Sequence, residues 1–256
     1  MTSPSFDISG RLALVTGSGR GLGNVYARGL AAAGCDIIVH GRHRDVVEAQ
    51  AADIARQYRV RTASCVFDVA DREDVSAAVA ALVDEVGVPD ILVNNAGVQR
   101  RAPFHEFPVE QWDEVIGTNL SGVFYVSRAL APAMVERGSG KIINIGSVVT
   151  VLARRTLPPY TAAKGAITML TKEMAADLTR YGIQVNTISP GYFKTEMNTA
   201  LIDDPQFDSW VVQRTPARRW GEPEELLGTL VYLASPASDF VTGQNILVDG
   251  GMTSVL

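Results

Sequence analysis

The chain is poor in cysteine and histidine and has no long apolar run, and each shortage removes a class of protein. Its two cysteines, Cys35 and Cys65, are too few for a disulfide framework. Both fall in short apolar runs, so they read as small buried hydrophobes in a reducing compartment. The three histidines, His40, His43 and His105, lack the clustered spacing of a metal centre, and no metal is expected. No stretch approaches the roughly 20 apolar residues that cross a bilayer, so no membrane partner is expected. Met1 to Gly10 carries Asp7 and no apolar core, unlike a signal peptide, which adds to the expectation of a cytoplasmic protein. A basic surplus is missing as well. With 23 Lys and Arg against 28 Asp and Glu, the net charge of -5 argues against a nucleic-acid partner. A small anion stays possible, since it needs only a few local cations. There is no internal repeat, low-complexity tract or linker, so residues 1–256 read as one domain.

What the chain has is alternation. Strands are expected at 11–16, 36–40, 62–67, 90–94, 141–145, 184–189 and 245–248. Helices are expected at 22–33, 45–58, 71–86 and 160–181, with two successive helices across 109–137. Asp71 is a plausible N-cap and Gly87 a plausible stop for the third of these. The strands are continuous Val/Ile/Leu runs, the mark of strands buried on both faces of a parallel sheet. Right-handed crossovers then give an α/β, doubly wound, seven-stranded sheet with helices on both faces. Ligands in such a sheet lie outside the carboxyl ends of the strands. The stretch from about 191 to 221 breaks the alternation, where a lid over a substrate belongs.

Directly after the first strand comes Thr16-Gly17-Ser18-Gly19-Arg20-Gly21-Leu22-Gly23, which opens a helix. Glycines there let the backbone approach a pyrophosphate, whose charge the helix N-terminus favours. The second strand ends in Val39-His40-Gly41-Arg42-His43-Arg44, with no carboxylate before Asp45. An acid at that strand end would bind the ribose hydroxyls of NAD(H) and repel a 2′-phosphate. Arg42, with Arg20 inside the glycine loop, suits the 2′-phosphate of NADP(H), which is expected in preference to NAD(H).

Tyr160 and Lys164 stand four residues apart on a helix, so they share a face. A nearby ammonium is expected to lower the phenol's pKa and make it a usable acid/base. Ser147, just past the fifth strand, can donate to a substrate oxygen as charge develops there. Together with the glycine loop, these residues imply hydride chemistry on an alcohol or ketone. A nucleotide-sensing module without turnover would keep the glycines and lose Tyr160 or Lys164.

From about residue 8 to residue 251 the chain resembles the short-chain dehydrogenase/reductase family, whose fold is of the Rossmann type. The resemblance rests on Gly17-x-x-x-Gly21-x-Gly23, on Asp68-Val69, on Asn94-Asn95-Ala96-Gly97 and on Pro190-Gly191 with Thr195. It rests equally on Asn119, Ser147, Tyr160 and Lys164, which match the family's catalytic tetrad. The resemblance implies cofactor contacts from Gly17, Ser18, Arg20, Gly21, Leu22, Gly23 and Arg42. It implies further ones from Asp68, Val69, Asn95, Ala96, Gly97, Tyr160, Lys164, Pro190, Gly191 and Thr195. By the same resemblance Tyr160 is the acid/base, and Lys164 holds the nicotinamide ribose. Ser147 orients the substrate oxygen, and Asn119 keeps a water for proton relay. The segment from Asp239 to Gly251 resembles the family's edge strand that pairs subunits, which implies a homotetramer. Three loops, 98–107, 190–197 and 214–221, are similar to those of family members that oxidise gluconate. That implies a sugar-acid substrate and interconversion of D-gluconate with 5-keto-D-gluconate. Its carboxylate would pair with Arg101 and Arg154, and a hydroxyl would bond Gln99, beside Ser147 and Tyr160. Val151 stands where those members carry a Glu, which leaves another sugar acid or a less hydroxylated ketone as the alternative substrate.

Overall fold

The computed structural model describes residues 5–255. Seven strands form one parallel sheet in the order β3-β2-β1-β4-β5-β6-β7. They are β1 (Leu12–Val15), β2 (Asp36–Gly41), β3 (Thr62–Val66), β4 (Ile91–Asn94), β5 (Gly140–Ile145), β6 (Ile183–Pro190) and β7 (Asn245–Val248). The expected doubly wound sheet is therefore the observed one, with each strand shifted by no more than a residue at either end. Successive strand residues face opposite helix layers, which is why the strands carry no polar alternation. Ala13 and Val15 join one cluster with Leu30, Ile54 and Leu230, from α1 (Gly21–Ala32), α2 (Arg44–Tyr58) and α9 (Leu227–Ala234). Leu14 joins the other with Val79, Leu130 and Met174, from α3 (Arg72–Glu85), α5 (Gly122–Arg137) and α6 (Pro158–Leu178). Asp71 caps α3 as expected, accepting from the Asp74 amide at 3.0 Å. Among the described residues no helix is long and apolar enough to cross a membrane.

One expectation is refined and another corrected. The two helices expected across 109–137 are α4 (Val109–Ile116) and α5, joined by a π-helical turn, Gly117–Ser121, so the axis continues with one widened turn. The stretch 191–221 is not irregular throughout. It carries α7 (Thr199–Ile202) and α8 (Pro205–Arg214) on a neck where Phe193 bridges Gly221. Asp204 caps α8, accepting from Gln206 N at 3.0 Å and Phe207 N at 3.3 Å, and Pro205 starts the first turn. That signal is readable, but a ten-residue helix outside the main alternation has little periodicity to announce it.

The switch point lies between β1 and β4, whose following chain segments leave in opposite directions. A crevice therefore opens at the carboxyl edge, flanked by the loops after β1, β4, β5 and β6.

Candidate active site

The floor of the crevice is a cradle of main chain. Gly17 (φ +68°) turns the chain after β1, and Gly21 (φ +55°) opens α1. A Cβ on Gly23 would meet the Gly17 carbonyl oxygen at 2.3 Å and Asn95 Nδ2 at 2.4 Å, so only glycine fits there. Asn95 explains that closeness. Its side-chain amide donates to the Thr16 carbonyl at 2.9 Å, and the Asn95 and Ala96 amides donate to Thr16 Oγ1 at 2.9 and 3.0 Å. The Asn94–Gly97 segment thus clamps the glycine loop across the switch point. The α1 N-terminus has an extended Arg20, no side-chain cap and no acidic residue in its first turn. Its free amides and partial positive charge suit a phosphate, so the cradle fits a dinucleotide. Leu22 packs beneath it against the core.

His40, which no sequence signal marked as functional, fixes this loop. The Gly17 amide donates to its Nδ1 at 2.9 Å, and its Nε2 donates to the Phe67 carbonyl at 3.2 Å. The main chain doubles the tie, since Ser18 N donates to His40 O and His40 N donates to Ser18 Oγ, both at 2.9 Å. Burial holds the imidazole neutral and lowers its pKa to about 4, against smaller upward pulls from the Phe67 carbonyl, Asp68 and Asp74. A histidine ending the strand after a glycine loop was the available clue.

Arg42 stands exposed at the end of β2, its Nη1 3.5 Å from Asp68 Oδ2 in the loop after β3. Asp68 also turns its own loop, its Oδ1 accepting from Ala70 N at 2.9 Å, and Val69 is buried behind it. The β2 and β3 ends therefore meet beside the glycine loop, at one end of the crevice.

The four residues of the expected tetrad gather at the middle. Ser147 leaves β5 in extended backbone, and its Oγ accepts from Val149 N at 3.4 Å. Tyr160 and Lys164 lie a turn apart on α6, with Lys164 Nζ 5.8 Å from the Tyr160 ring centroid. Lys164 is buried and donates to the Ile145 carbonyl at 2.5 Å; burial lowers its pKa to about 8. The ammonium does not bring the Tyr160 phenol down as expected. Burial raises its pKa, and the downward pulls come from the Ser147 hydroxyl and the Arg101 charge. Asn119 sits in the π-helical turn, fully buried. Its side chain ties it to Val98, accepting from the Val98 amide and donating to the Val98 carbonyl, both at 2.8 Å. On the β6 side, Gly191 is forced, since a Cβ there would lie 2.7 Å from Asp249 Cα. Its amide donates to Val248 O at 2.9 Å, and Thr195 follows at the start of a 3-10 turn.

The outer rim sorts the arginines. Arg100 is paired to Glu114 at 2.6 Å, and Arg219 is paired to Glu225 by two bonds of 2.6 Å. Lys194 is likewise held by Glu222. Arg101 and Arg154 differ: among the described residues neither has a carboxylate within ion-pair distance. Arg101 Nη2 donates to Gln99 Oε1 at 3.0 Å. Its pKa is lowered by burial and by the charge of Arg154, so the two cations share one field. The three expected loops thus contribute unequally: Gln99, Arg101 and Tyr192 line the mouth, whereas Arg219 and Lys194 turn to acids of their own. Val151 and Leu152 stand exposed beside it.

Similarity to known proteins is extensive. A family model described as enoyl-(acyl carrier protein) reductase matches residues 17–253. The gluconate 5-dehydrogenase of Gluconobacter oxydans is 49% identical over 249 residues, 97% of this chain and 96% of that protein. The 5-keto-D-gluconate 5-reductase of Escherichia coli K12 is 46% identical over 251 residues, covering 96% and 97% respectively. Among solved structures, a gluconate 5-dehydrogenase from Burkholderia cenocepacia in complex with NADP and tartrate superposes with a TM-score of 0.93 at 52% identity, over 98% of each chain.

Proposed function

The chain belongs to the short-chain dehydrogenase/reductase family, and from that premise we propose that it interconverts D-gluconate and 5-keto-D-gluconate with NADP(H). The observation that carries the substrate is the pair Arg101 and Arg154, two cations without acids at the mouth above Tyr160. A sugar-acid carboxylate relieves their repulsion, whereas a neutral ketone leaves it in place. The relatives named for gluconate and 5-keto-D-gluconate, and the tartrate in the similar structure, support an anion of that kind.

For the cofactor, the missing carboxylate at the end of β2 and the exposed Arg42 support NADP(H) over NAD(H). The glycine cradle would take the pyrophosphate, Asp68 and Val69 would flank the adenine, and Asn95, Ala96 and Gly97 would line the far wall. Pro190, Gly191 and Thr195 would hold the nicotinamide side. When bound, the nicotinamide supplies or takes up the hydride at C4.

The chain's own residues handle the proton. In reduction Tyr160 gives its phenolic proton to the C5 ketone oxygen; in oxidation it takes the proton from the hydroxyl. Ser147 donates to the same oxygen and holds it against the phenol. Lys164, fixed by Ile145, would bond the nicotinamide ribose, and the Ser147 hydroxyl and the Arg101 charge favour the phenolate when the proton leaves. Asn119 keeps the water that returns the proton to Tyr160. Gln99 takes a hydroxyl of the sugar chain, and residues 191–221 cover it as a lid. We assign the enzyme to the cytoplasm, in keeping with its free cysteines. The half-buried β7 at the sheet edge supports pairing of copies into a homotetramer.

The test is NADPH oxidation, followed by absorbance, with 5-keto-D-gluconate beside a panel of neutral ketones. The expected result is a kcat/KM at least tenfold higher for the anion, abolished by Tyr160→Phe with NADPH binding kept. Good reduction of neutral ketones and none of 5-keto-D-gluconate would overturn the substrate assignment.

A further inference from the structure

The lid holds an aromatic cluster whose use is not explained by packing alone. Tyr192 meets Phe207, Trp210 and Trp220 edge-on, with ring centroids 5.6, 5.8 and 5.6 Å apart. Phe207 packs on Trp210 at 5.3 Å. Trp220 is buried, and its Nε1 donates to Asp208 Oδ1 at 2.8 Å. The cluster fixes the Phe207 ring at the start of α8, directly behind the Asp204 cap and Pro205.

The guanidinium of Arg154 lies over that ring, 4.4 Å from the centroid, and 5.8 Å from the Tyr192 centroid. Arg154 comes from the loop after Ser147, on the opposite side of the mouth from the lid. Its neighbours Val151 and Leu152 are exposed and give it no wall to lie on. Asp208, next to Phe207 in the chain, is held by Trp220 and does not neutralise it. The Tyr192 hydroxyl gives Arg154 one hydrogen-bond partner, but an arginine so placed and repelled by Arg101 would turn its remaining donors outward into water. The face of an aromatic ring attracts a guanidinium without neutralising it, so the charge stays available.

We infer that Phe207, through its contact with Arg154, is a positioning residue that sets the enzyme's preference for anionic substrates. This rests on the reading of Arg101 and Arg154 as the carboxylate site. Removing the ring frees Arg154 and weakens anion binding, while Tyr160 and Ser147 stay as they are.

The experiment measures tartrate binding to the NADP+-saturated enzyme by calorimetry, beside kcat and KM for 5-keto-D-gluconate. Phe207→Leu should weaken tartrate binding and raise KM about fivefold, the size of a partly exposed cation–π contact, with a smaller change in kcat. Phe207→Tyr, which keeps the ring, should restore both. Pentafluorophenylalanine at 207, which keeps the shape and inverts the ring's quadrupole, should act like Leu even if the leucine variant folds poorly. In an Arg154→Ala background the Phe207→Leu change should have no further effect. Equal weakening in both backgrounds, unchanged tartrate affinity in the Phe207 variants, or no tartrate binding by the wild type would overturn the inference. Should tartrate binding follow this pattern in an enzyme that does not turn over 5-keto-D-gluconate, the gluconate assignment fails and the role of Phe207 stands.

Discussion

Lowering the pH from 7 to 5 should destabilise the folded protein through one residue, His40. Its imidazole is buried, accepts from Gly17 and donates to Phe67, so the folded protein holds it neutral with a pKa of about 4 against an ordinary value of 6.5. Between those values the unfolded chain binds a proton that the folded protein does not. Stability attributable to His40 is therefore complete above about pH 6.5 and is lost progressively as the pH falls towards 4. For these two pKa values the loss between pH 7 and pH 5 is about 2 kcal/mol. The facing groups that oppose this shift are the Phe67 carbonyl, Asp68 and Asp74, and the value of about 4 already includes them. Protonated Nδ1 can no longer accept from the Gly17 amide, but the folded protein takes up that proton only as the pH nears 4, so cofactor affinity should not fall through His40 between pH 7 and pH 5. The assay is urea unfolding followed by far-UV circular dichroism at pH 7 and pH 5, for wild type and His40→Asn. Asparagine has no titrating group here and keeps an acceptor for Gly17. The acid loss in the wild type should exceed that in the variant by roughly 2 kcal/mol, whatever the carboxylates contribute to both. Identical acid losses in the two proteins would refute the argument.

Three further outcomes follow from the same geometry. Gly23→Ala places a methyl 2.3 Å from the Gly17 carbonyl, so it should raise the NADPH Kd by at least a hundredfold in a fluorescence titration, far more than Gly21→Ala, where space is open. Arg42→Asp should raise KM for NADPH by an order of magnitude and relatively favour NADH, because it swaps attraction for repulsion at the 2′-phosphate; equal kcat/KM for both cofactors in the wild type would count against it. Arg101→Ala should raise KM for 5-keto-D-gluconate about tenfold, roughly 1.4 kcal/mol, whereas Arg100→Ala, whose charge is already spent on Glu114, should change KM less than threefold.

What the sequence determined by itself was whatever short-range physics encodes. Continuous apolar runs such as Ile37-Ile38-Val39 can only be strands buried on both faces, and seven of them with helices between leave one economical topology. Gly17 and Gly21 announce a left-handed turn and Gly23 a close backbone approach, and Tyr160 and Lys164 meet because a helix brings residues four apart onto one face. Contacts between residues far apart in the chain were decided only on folding. His40 becomes the loop's anchor because β2 ends beside Gly17 and Phe67, residues 23 and 27 positions away. Burial, not the Lys164 charge, governs the Tyr160 phenol, and no spacing rule measures burial. The arginines of the rim look alike in the sequence. Glu114, 14 residues from Arg100, and Glu225, 6 from Arg219, neutralise two of them, while Phe207 meets Arg154 from across the mouth. A side chain's chemistry is written in the sequence, but whether its charge is spent or free depends on what the fold sets against it.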